Sequence, residues 1–427
     1  MPIPQNNPRR IELNDEVHSR PPEALVVPTR LSYLALLCSA AQRDQAWGMV
    51  GDLARRYGCV PPPAGAVHYS ADFGPFRLKW ERHTEFARYQ FIVNGEGSEP
   101  FAQPAIYAVP DEWIAALPGE TLVAAHLALI KESDLRLDYE TVSKKYFGGN
   151  ILVGAALGAG VATALTDFRI HEDGFSRFLV LDRSMSARQS GRMVQRLLEI
   201  DTYRMMASLA LPVARELAPL LTRGEQELAK ITAALVDANP DDEPVLLDRL
   251  TRLGAEIDSR KAANYYRFSA ASAYYELVQR RIADLREHRI EGMQLFQEFT
   301  ERRLAPAMNT LRAVASRQES LTERLARAVQ LLSTRVDITR ESQNQKVLES
   351  MNRRAKLQLR LQQTVEGLSV AAVTYYVVGL VGYAAKGVKA GGLELNPDIA
   401  VALSIPLVAA LTAYGLHRIR RIVTRSS

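Results

Sequence analysis

The sequence predicts an α+β protein, with an N-terminal mixed α/β cytoplasmic domain, a helical bundle with a long stalk helix, and a C-terminal two-helix transmembrane hairpin. Three observations carry this prediction. Strand-like segments fill the N-terminal part, residues 307–366 contain neither glycine nor proline, and two long uncharged runs lie near the C-terminus. The predicted domain boundaries are 1–182 for the α+β domain, 183–305 for the helical region, 306–366 for the stalk, and 367–427 for the hairpin and its basic tail.

Composition is typical of a globular chain and argues against two functional classes. The 427 residues are 47% hydrophobic and 24% charged, and the net charge of +5 is spread among interleaved acids and bases. That pattern gives no basic face for nucleic acid, so no nucleic-acid partner is expected. Cys38 and Cys59 are too few for a disulfide framework, which favours a reducing compartment. The start, "MPIPQNNPRRIELNDEV", lacks the apolar run of a secretory signal, so the N-terminal part is expected in the cytoplasm.

The N-terminal third alternates strand-like and helical patterns. Strands are predicted from β-rich composition or period-two alternation at 30–37, 76–93, 121–130, 150–166 and 175–182. An amphipathic helix closed by glycine is predicted over Ala41–Gly58. A largely antiparallel sheet is expected. Tyr146–Thr166 is uncharged and long enough to cross a bilayer, but its five glycines and lack of a basic flank favour a buried pair of strands over a third span.

Helical periodicity dominates the middle of the chain. One helical stretch is predicted over Ser186–Val236 with an interruption at Pro212, and a second over Pro244–Ala305, joined by "ANPDDEP" at Ala238–Pro244. These helices are expected to pack antiparallel beside the stalk.

The stalk is predicted from the uninterrupted stretch 307–366, about 90 Å long as a helix. Its apolar positions step by three and four, lapse through the polar "DITRESQNQK", and then resume. The first set is Leu321, Leu325, Ala328, Leu332 and Val336; the second is Val347, Met351, Ala355 and Leu359. We expect the stalk to enter the first span without a break and to form homo-oligomers together with the spans.

Two uncharged runs predict the membrane hairpin. Gly367–Ala385 has 19 residues and Ile399–Leu416 has 18, close to the number that crosses a hydrocarbon core of roughly 30 Å as a helix. The turn between them is "KGVKAGGLELNPD". The alternative is a helical hairpin buried in a soluble core.

Flanking charges orient this hairpin. Basic residues cluster before the first span and after the second, whereas the turn carries only Lys386 and Lys389. The topology-setting residues are Arg353, Arg354, Lys356 and Arg360 before the first span, and Arg418, Arg420 and Arg421 after the second. Positive charge is retained on the cytoplasmic side, so both termini are expected in the cytoplasm.

Small and polar residues within the runs predict close packing of the two spans. The span-packing residues are Gly367, Ala371, Tyr375, Tyr376, Gly379, Gly382, Pro406, Ala409 and Ala413. Small residues at this spacing let helix backbones approach, the tyrosine hydroxyls need partners, and Pro406 frees a carbonyl. The alternative is that these residues line a pore.

The sequence contains no catalytic signature. The seven histidines show no metal-ligand spacing, and no phosphate-binding loop or nucleophile elbow is present, so no catalytic residue, cofactor or metal is expected. One weak polar-site candidate is Asn14, Glu16, His18 and Arg20 in "NDEVHSRPP"; weaker groupings occur in "KWERHTEF" and "HEDG". Each more often represents surface charge, a strand face or a turn.

Several segments together resemble one family. "LNDEVHSRPPEAL", "TDFRIHEDGFSRFLVLD" and "SQNQKVLESMNRRAKLQLRLQQTVEGLSVAAVTYYVVGL" are similar to a bacterial family of membrane-anchored proteins of unknown function, domain-of-unknown-function family 3422. The resemblance covers nearly the whole chain and implies a bacterial membrane protein, without catalytic residues to carry over. The layout also resembles that of CorA-type magnesium channels. Their Gly-Met-Asn motif is absent here, where the sequence reads "GYAAKGVK".

The function predicted from these features is that of a non-enzymatic scaffold or regulator. It would be anchored in the bacterial inner membrane by two spans, with the lipid bilayer, copies of itself and an unknown protein as partners. The alternative is an ion channel or transporter of CorA-like layout. An enzyme held at the membrane is the third reading.

Overall fold

The computed structural model describes residues 4–18, 21–95, 99–135, 138–391 and 396–423. The chain divides into two compact units. The first comprises Met1–Val236 and Asp248–Ala328, and the second comprises Asp237–Leu247 and Val329–Ser427.

Most of the first unit is organised around one sheet. Its strands are β1 (Thr29–Leu37), β2 (His68–Asp72), β3 (Arg77–Arg82), β4 (Phe86–Asn94), β5 (Glu120–Lys131), β6 (Val153–Leu157), β7 (Ala162–Thr166) and β8 (Ser176–Asp182). Among the described residues these strands form a single sheet in the order β2-β3-β4-β1-β5-β8-β7-β6. Only β5 and β8 pair in parallel, since every other neighbouring pair is antiparallel. The predictions of a mixed α+β fold and of a largely antiparallel sheet are confirmed.

The helices account for most of the rest. They are α1 (Arg10–His18), α2 (Ala40–Arg56), α3 (Asp111–Ala115), α4 (Tyr139–Tyr146), α5 (Ala187–Ser208), α6 (Ala210–Val236), α7 (Glu243–Leu285), α8 (Phe296–Arg303), α9 (Ala305–Ala390) and α10 (Pro397–Val423). Two short 3₁₀ turns, Ala105–Ala108 and Glu132–Asp134, lie between the strands of the first unit.

Helix α2 covers the sheet beside β3 and β4. Its start is fixed by a capping box, in which the Gln42 backbone N–H donates to Ser39 Oγ at 3.3 Å and the Ser39 N–H donates to Gln42 Oε1 at 2.9 Å. Its buried face includes Val50 and Leu53, which belong to the same apolar cluster as the fully buried Trp80. The helix predicted from the sequence therefore forms because its apolar stripe meets the sheet.

The uncharged stretch 146–166 contains a strand pair. Strands β6 and β7 pair antiparallel from Val153 opposite Thr166 to Leu157 opposite Ala162, and all five residues of β7 are buried. The prediction of two buried strands is confirmed, and this stretch does not form a third helical span.

The break between α5 and α6 lies at Leu209 rather than at Pro212. Pro212 is the third residue of α6, where its missing N–H removes no intrahelical hydrogen bond because the first N–H groups of a helix have no partner within it. The helix starts upstream of the proline for this reason.

Helix α9 runs without interruption from Ala305 to Ala390, as the glycine-free and proline-free stretch predicted. Its first apolar positions are covered within the chain. Leu321 and Leu325 are each 1% exposed, and a Cβ built on Gly224 of α6 would lie 3.0 Å from Leu321 Cδ2. This part of the predicted stalk seam therefore packs on the chain's own helices.

The second unit contains the rest of α9 together with α10. Near the start of α7 the buried Glu243 forms an ion pair with Arg335, whose Nε lies 2.5 Å from Oε1, and accepts a hydrogen bond from Thr339 Oγ1 at 3.3 Å. The turn between the two long helices is shorter than the predicted 386–398, because α9 continues to Ala390 and α10 begins at Pro397. Residues 392–395 lie outside the described part of the chain.

Candidate membrane-spanning hairpin

Two helical segments of the described chain are long and apolar enough to cross a membrane. Phe296–Ala390 and Pro397–Arg418 contain 18-residue windows with mean hydropathies of 1.6 and 2.0, and only 6% and 0% of those windows are buried. A helix of a soluble core is mostly buried, and a signal sequence lies near the N-terminus. Neither description fits these two segments.

The two helices pack along one face each. On α9 the less exposed positions recur every three or four residues, and the facing positions on α10 do the same. The α9 face is Val370, Thr374, Val378, Val381, Gly382 and Ala385; the α10 face includes Val401, Ser404, Val408 and Thr412. The opposite faces expose large apolar side chains, among them Leu380 and Leu407. The hairpin thus has a packed inner face and an uncovered outer face.

Gly382 marks the closest approach between α9 and α10 among the span glycines that the structure describes. A Cβ built on Gly382 would lie 3.1 Å from Val401 Cγ2, tighter than ordinary van der Waals contact. Nothing lies within 4 Å of a Cβ built on Gly367 or Gly379. Of these three predicted packing glycines, Gly382 is the one whose missing side chain lets the helices approach.

A groove of about 710 Å³ runs beside this contact. It brings together five of the predicted span-packing residues: Ala371, Tyr375, Tyr376, Gly379 and Gly382. Of the others, Ala409 is half-buried and Ala413 is exposed. Pro406 lies inside α10, which continues through it to Val423.

Three of the four serine and threonine hydroxyls described on the spans bond to their own helix. Ser369 Oγ donates to the Val365 carbonyl at 2.8 Å, Ser404 Oγ to Val401 at 2.8 Å, and Thr412 Oγ1 to Val408 at 2.7 Å. Such bonds satisfy a hydroxyl in a dry environment without a second partner. Thr374 Oγ1 differs, because it is buried without a hydrogen-bond partner among the described residues. Sequence reasoning missed Thr374, since a threonine inside an apolar run carries no distinctive signal.

The basic residues that flank the spans are exposed where they are described. Arg353, Arg354, Lys356 and Arg360 lie on exposed positions of α9, and Arg418 is exposed on α10. The side chains of Arg420 and Arg421 lie outside the described residues. Exposed guanidinium and ammonium groups at these places are compatible with lipid head groups or water.

The weak N-terminal polar site is only partly described. Asn14 is exposed on α1, and its side-chain amide donates to Asp15 Oδ1 at 3.3 Å. Arg20 and the side chains of Glu16 and His18 lie outside the described residues. Elsewhere, within the described ranges, no group of three or more histidine, cysteine, aspartate or glutamate side chains is placed to hold a metal ion.

A buried ionic network lies in the first unit. The fully buried Glu81 carboxylate pairs with Arg88, and its other oxygen lies 2.9 Å from Lys79 Nζ. The Arg88 guanidinium also lies 3.2 Å from Glu199 Oε1 on α5, and Glu199 pairs with Arg281 on α7. These contacts join β3 and β4 to two helices.

Opposite charges decide the ionisation of this network. Burial alone would raise the pKa of the Glu81 carboxyl, but the adjacent Arg88, His83 and Lys79 hold that pKa well below its usual range. Burial likewise opposes ionisation of Glu199, and Arg88 and Arg281 outweigh it, so its pKa is also lowered. The sequence grouping "KWERHTEF" contains Glu81, but Arg88 and Glu199 are brought to it only by the fold.

The fold and the hairpin define an α+β protein with two C-terminal helices capable of crossing a membrane. The family model described as "Protein of unknown function (DUF3422)" matches residues 5–423, so the chain belongs to that family. No curated protein and no solved structure matches the chain. The predicted resemblance to domain-of-unknown-function family 3422 is therefore confirmed.

Gly382 offers a direct test of the hairpin packing. Replacing Gly382 with leucine is expected to separate α9 from α10, because the new side chain would overlap Val401. A cysteine pair at Val378 and Ser404, both on the inner faces, should then crosslink more slowly. Gly379→Leu is the matched control, since a Cβ there meets nothing within 4 Å. Equal crosslinking rates in the two variants would contradict the packing described above.

Proposed function

We propose that the hairpin anchors the protein in the bacterial inner membrane and that the protein acts as a non-enzymatic scaffold or regulator. Both termini face the cytoplasm, and the large N-terminal part works there through contacts with protein partners. The basic residues before the first span and after the second support this orientation, because such residues are retained on the cytoplasmic side.

The observation that carries the proposal is the exposure of the two apolar helices. Their apolar windows are 6% and 0% buried, and side chains such as Leu380 and Leu407 are 67% and 63% exposed. Each leucine left in water forgoes roughly 1.5–3 kcal/mol of transfer free energy, so a cover of lipid or protein is strongly favoured. Helix length, apolar composition and basic flanks together favour lipid as that cover.

Self-association through the stalk is proposed for a part of α9 beyond the first seam. Leu321 and Leu325 are buried within the chain, whereas Val347, Met351 and Leu359 are 58%, 61% and 54% exposed. These three residues belong to the second set of regularly spaced apolar positions on α9, which precedes the first span. The surface proposed for contact between copies is therefore 347–359.

An ion channel of CorA-like layout is the alternative reading. The hydroxyls of Ser369, Ser404 and Thr412 are satisfied by their own helix, which suits a packed anchor better than a hydrated pore. Cation flux through liposomes containing the purified chain would favour the alternative.

The anchoring proposal predicts a specific loss of membrane association. The double variant Leu380→Arg and Leu407→Arg should move from the membrane pellet to the supernatant after an alkaline carbonate wash. Each arginine at a helix centre costs about 2.5–3.5 kcal/mol for insertion on translocon scales. The matched control is Leu331→Arg, at a leucine that is 74% exposed on α9 outside the uncharged runs, and it should stay in the pellet. The anchoring proposal would be rejected if the double variant stayed in the pellet, or if the wild-type protein appeared in the supernatant.

A further inference from the structure

A second cavity, in the first unit, carries an excess of positive charge. It has a volume of about 330 Å³ and lies between the β6–β7 turn, α5 and the C-terminal end of α7. Three of its lining residues are arginines, Arg192, Arg196 and Arg286, and its one lining carboxylate is Asp284. The lining therefore has two more formal positive charges than negative charges.

The Asp284 carboxylate is already engaged. Its Oδ2 lies 3.8 Å from Arg196 Nε and 3.4 Å from a terminal nitrogen of Arg281. Arg192 and Arg286 have no carboxylate within ion-pair distance in the described part of the chain. Two guanidinium groups at the cavity are thus left without a carboxylate partner among the described residues.

The backbone at Arg286 adds an independent argument. Arg286 follows the last residue of α7 with a φ of +47°, in the left-handed region that glycine adopts without a steric penalty. An arginine there costs roughly 1–2 kcal/mol relative to an unstrained conformation. Side-chain packing does not explain why an arginine occupies this left-handed position, because Arg286 is exposed. Strain of this kind at a cavity wall points to a function for the side chain.

The neighbouring backbone fixes the position of Arg286. The Leu285 carbonyl accepts a hydrogen bond from Gly158 N at 3.0 Å, and His288 exchanges two backbone hydrogen bonds with Ala156, at 2.7 and 3.0 Å. The chain is thereby attached on both sides of Arg286, to Gly158 just after β6 and to Ala156 within β6. The cavity lining also includes the buried side chains of Met185 and Met193, and apolar groups beside a charge strengthen its interactions by lowering the local dielectric.

We propose that this cavity binds a small phosphate-bearing ligand through Arg192 and Arg286, with Arg196 as a third positive group. Guanidinium groups bind phosphate oxygens in pairs of parallel hydrogen bonds, and several around one cavity favour a multiply charged anion over a single carboxylate. The phosphate belongs either to a soluble ligand such as pyrophosphate or to a lipid head group. The two sources share this chemistry.

The test is ligand-dependent thermal stabilisation of the full chain in mild detergent. Pyrophosphate, compared with sodium chloride at equal ionic strength, is expected to raise the melting temperature in a saturable way. Arg192→Gln and Arg286→Gly should each weaken pyrophosphate binding roughly tenfold, the loss of about one charge-assisted contact. The matched control is Arg223→Gln, at an exposed arginine on α6 outside the cavity lining, and its affinity should equal that of the wild type.

Arg286→Gly also separates binding from folding. Because glycine adopts the left-handed conformation freely, this variant should melt without ligand at or above the wild-type temperature while binding pyrophosphate less well. A short-chain phosphatidic acid, compared with the matching phosphatidylcholine, tests the lipid source. Stabilisation by phosphatidic acid alone, lost in Arg192→Gln, would assign the site to a head group. Absence of stabilisation by either phosphate probe, or equal affinities in all three variants, would overturn the proposal.

Discussion

Replacing Arg88 with methionine is expected to lower the free energy of unfolding by about 3–5 kcal/mol. The Arg88 side chain is 4% exposed and lies between the carboxylates of Glu81 and Glu199, both almost fully buried. Methionine keeps much of the side-chain volume but leaves two neighbouring carboxylates without their shared counter-ion. Glu199 keeps its ion pair with Arg281, and Glu81 keeps its ion pair with Lys79. The lost stability therefore comes from the carboxylate oxygens that faced Arg88. Urea unfolding of the detergent-solubilised chain, followed by near-ultraviolet circular dichroism, measures the change.

Two further variants test the cause of that loss. Arg55→Met removes an exposed arginine paired with Asp52 on α2, and it should change stability by less than about 0.5 kcal/mol. The triple variant Glu81→Gln, Arg88→Met and Glu199→Gln should recover part of the Arg88→Met loss, because the uncompensated buried charges are then removed. A cost for Arg88→Met no greater than that for Arg55→Met would show that the network does not stabilise the native state.

Local sequence patterns predicted the helices and strands that are determined by residues close together in the chain. The strand pair at β6 and β7 and the long α9 could be recognised because glycine and charge content over about twenty residues select between a strand pair, a soluble helix and a span. The position of the break between α5 and α6 could not be recognised from the sequence, because a proline interrupts a helix only beyond the first turn of that helix. Pro212 gave a signal that was shifted by three residues from the break at Leu209.

The contacts that the sequence did not predict join residues far apart in the chain. Arg88 and Glu199 are separated by 111 residues, and no spacing rule relates them. Leu321 carries the heptad spacing of a seam between subunits, but that spacing does not tell whether the cover is another copy or the chain's own α6. Gly382 and Gly379 are equally small, and only the direction in which a Cβ built on each backbone would point shows that Gly382 faces Val401.

Lowering the pH from 6.5 to 4 is expected to remove about 3 kcal/mol of stability through His126 alone. This histidine on β5 is 4% exposed, shares a 2.9 Å hydrogen bond with Ser32 Oγ on β1, and stacks on the Phe175 ring at 3.9 Å. Burial lowers the His126 pKa to about 4; the nearby Asp173 opposes this shift and Arg177 adds to it. Between pH 6.5 and 4 the unfolded chain binds this proton and the native chain does not, so stability falls as the pH falls. Well above pH 6.5 the contribution no longer changes with pH, because neither the unfolded nor the native chain binds this proton there.

The effect of His126 is isolated by comparing pH profiles of variants. His126→Gln cannot titrate, so the difference in stability between the wild type and this variant should change by about 3 kcal/mol between pH 7 and pH 4. His68, whose pKa burial also lowers, contributes in the same direction, and His68→Gln should leave the larger His126 slope in place. Glu81 and Glu199 also contribute to the pH dependence, because their pKa values are lowered in the native chain. Their contribution to stability is lost only below about pH 4.3, where the unfolded carboxylates protonate, so it affects only the acid end of the range from pH 7 to pH 4. A wild type and a His126→Gln variant with parallel profiles from pH 7 to pH 4.5 would mean that the native fold admits the charged imidazole.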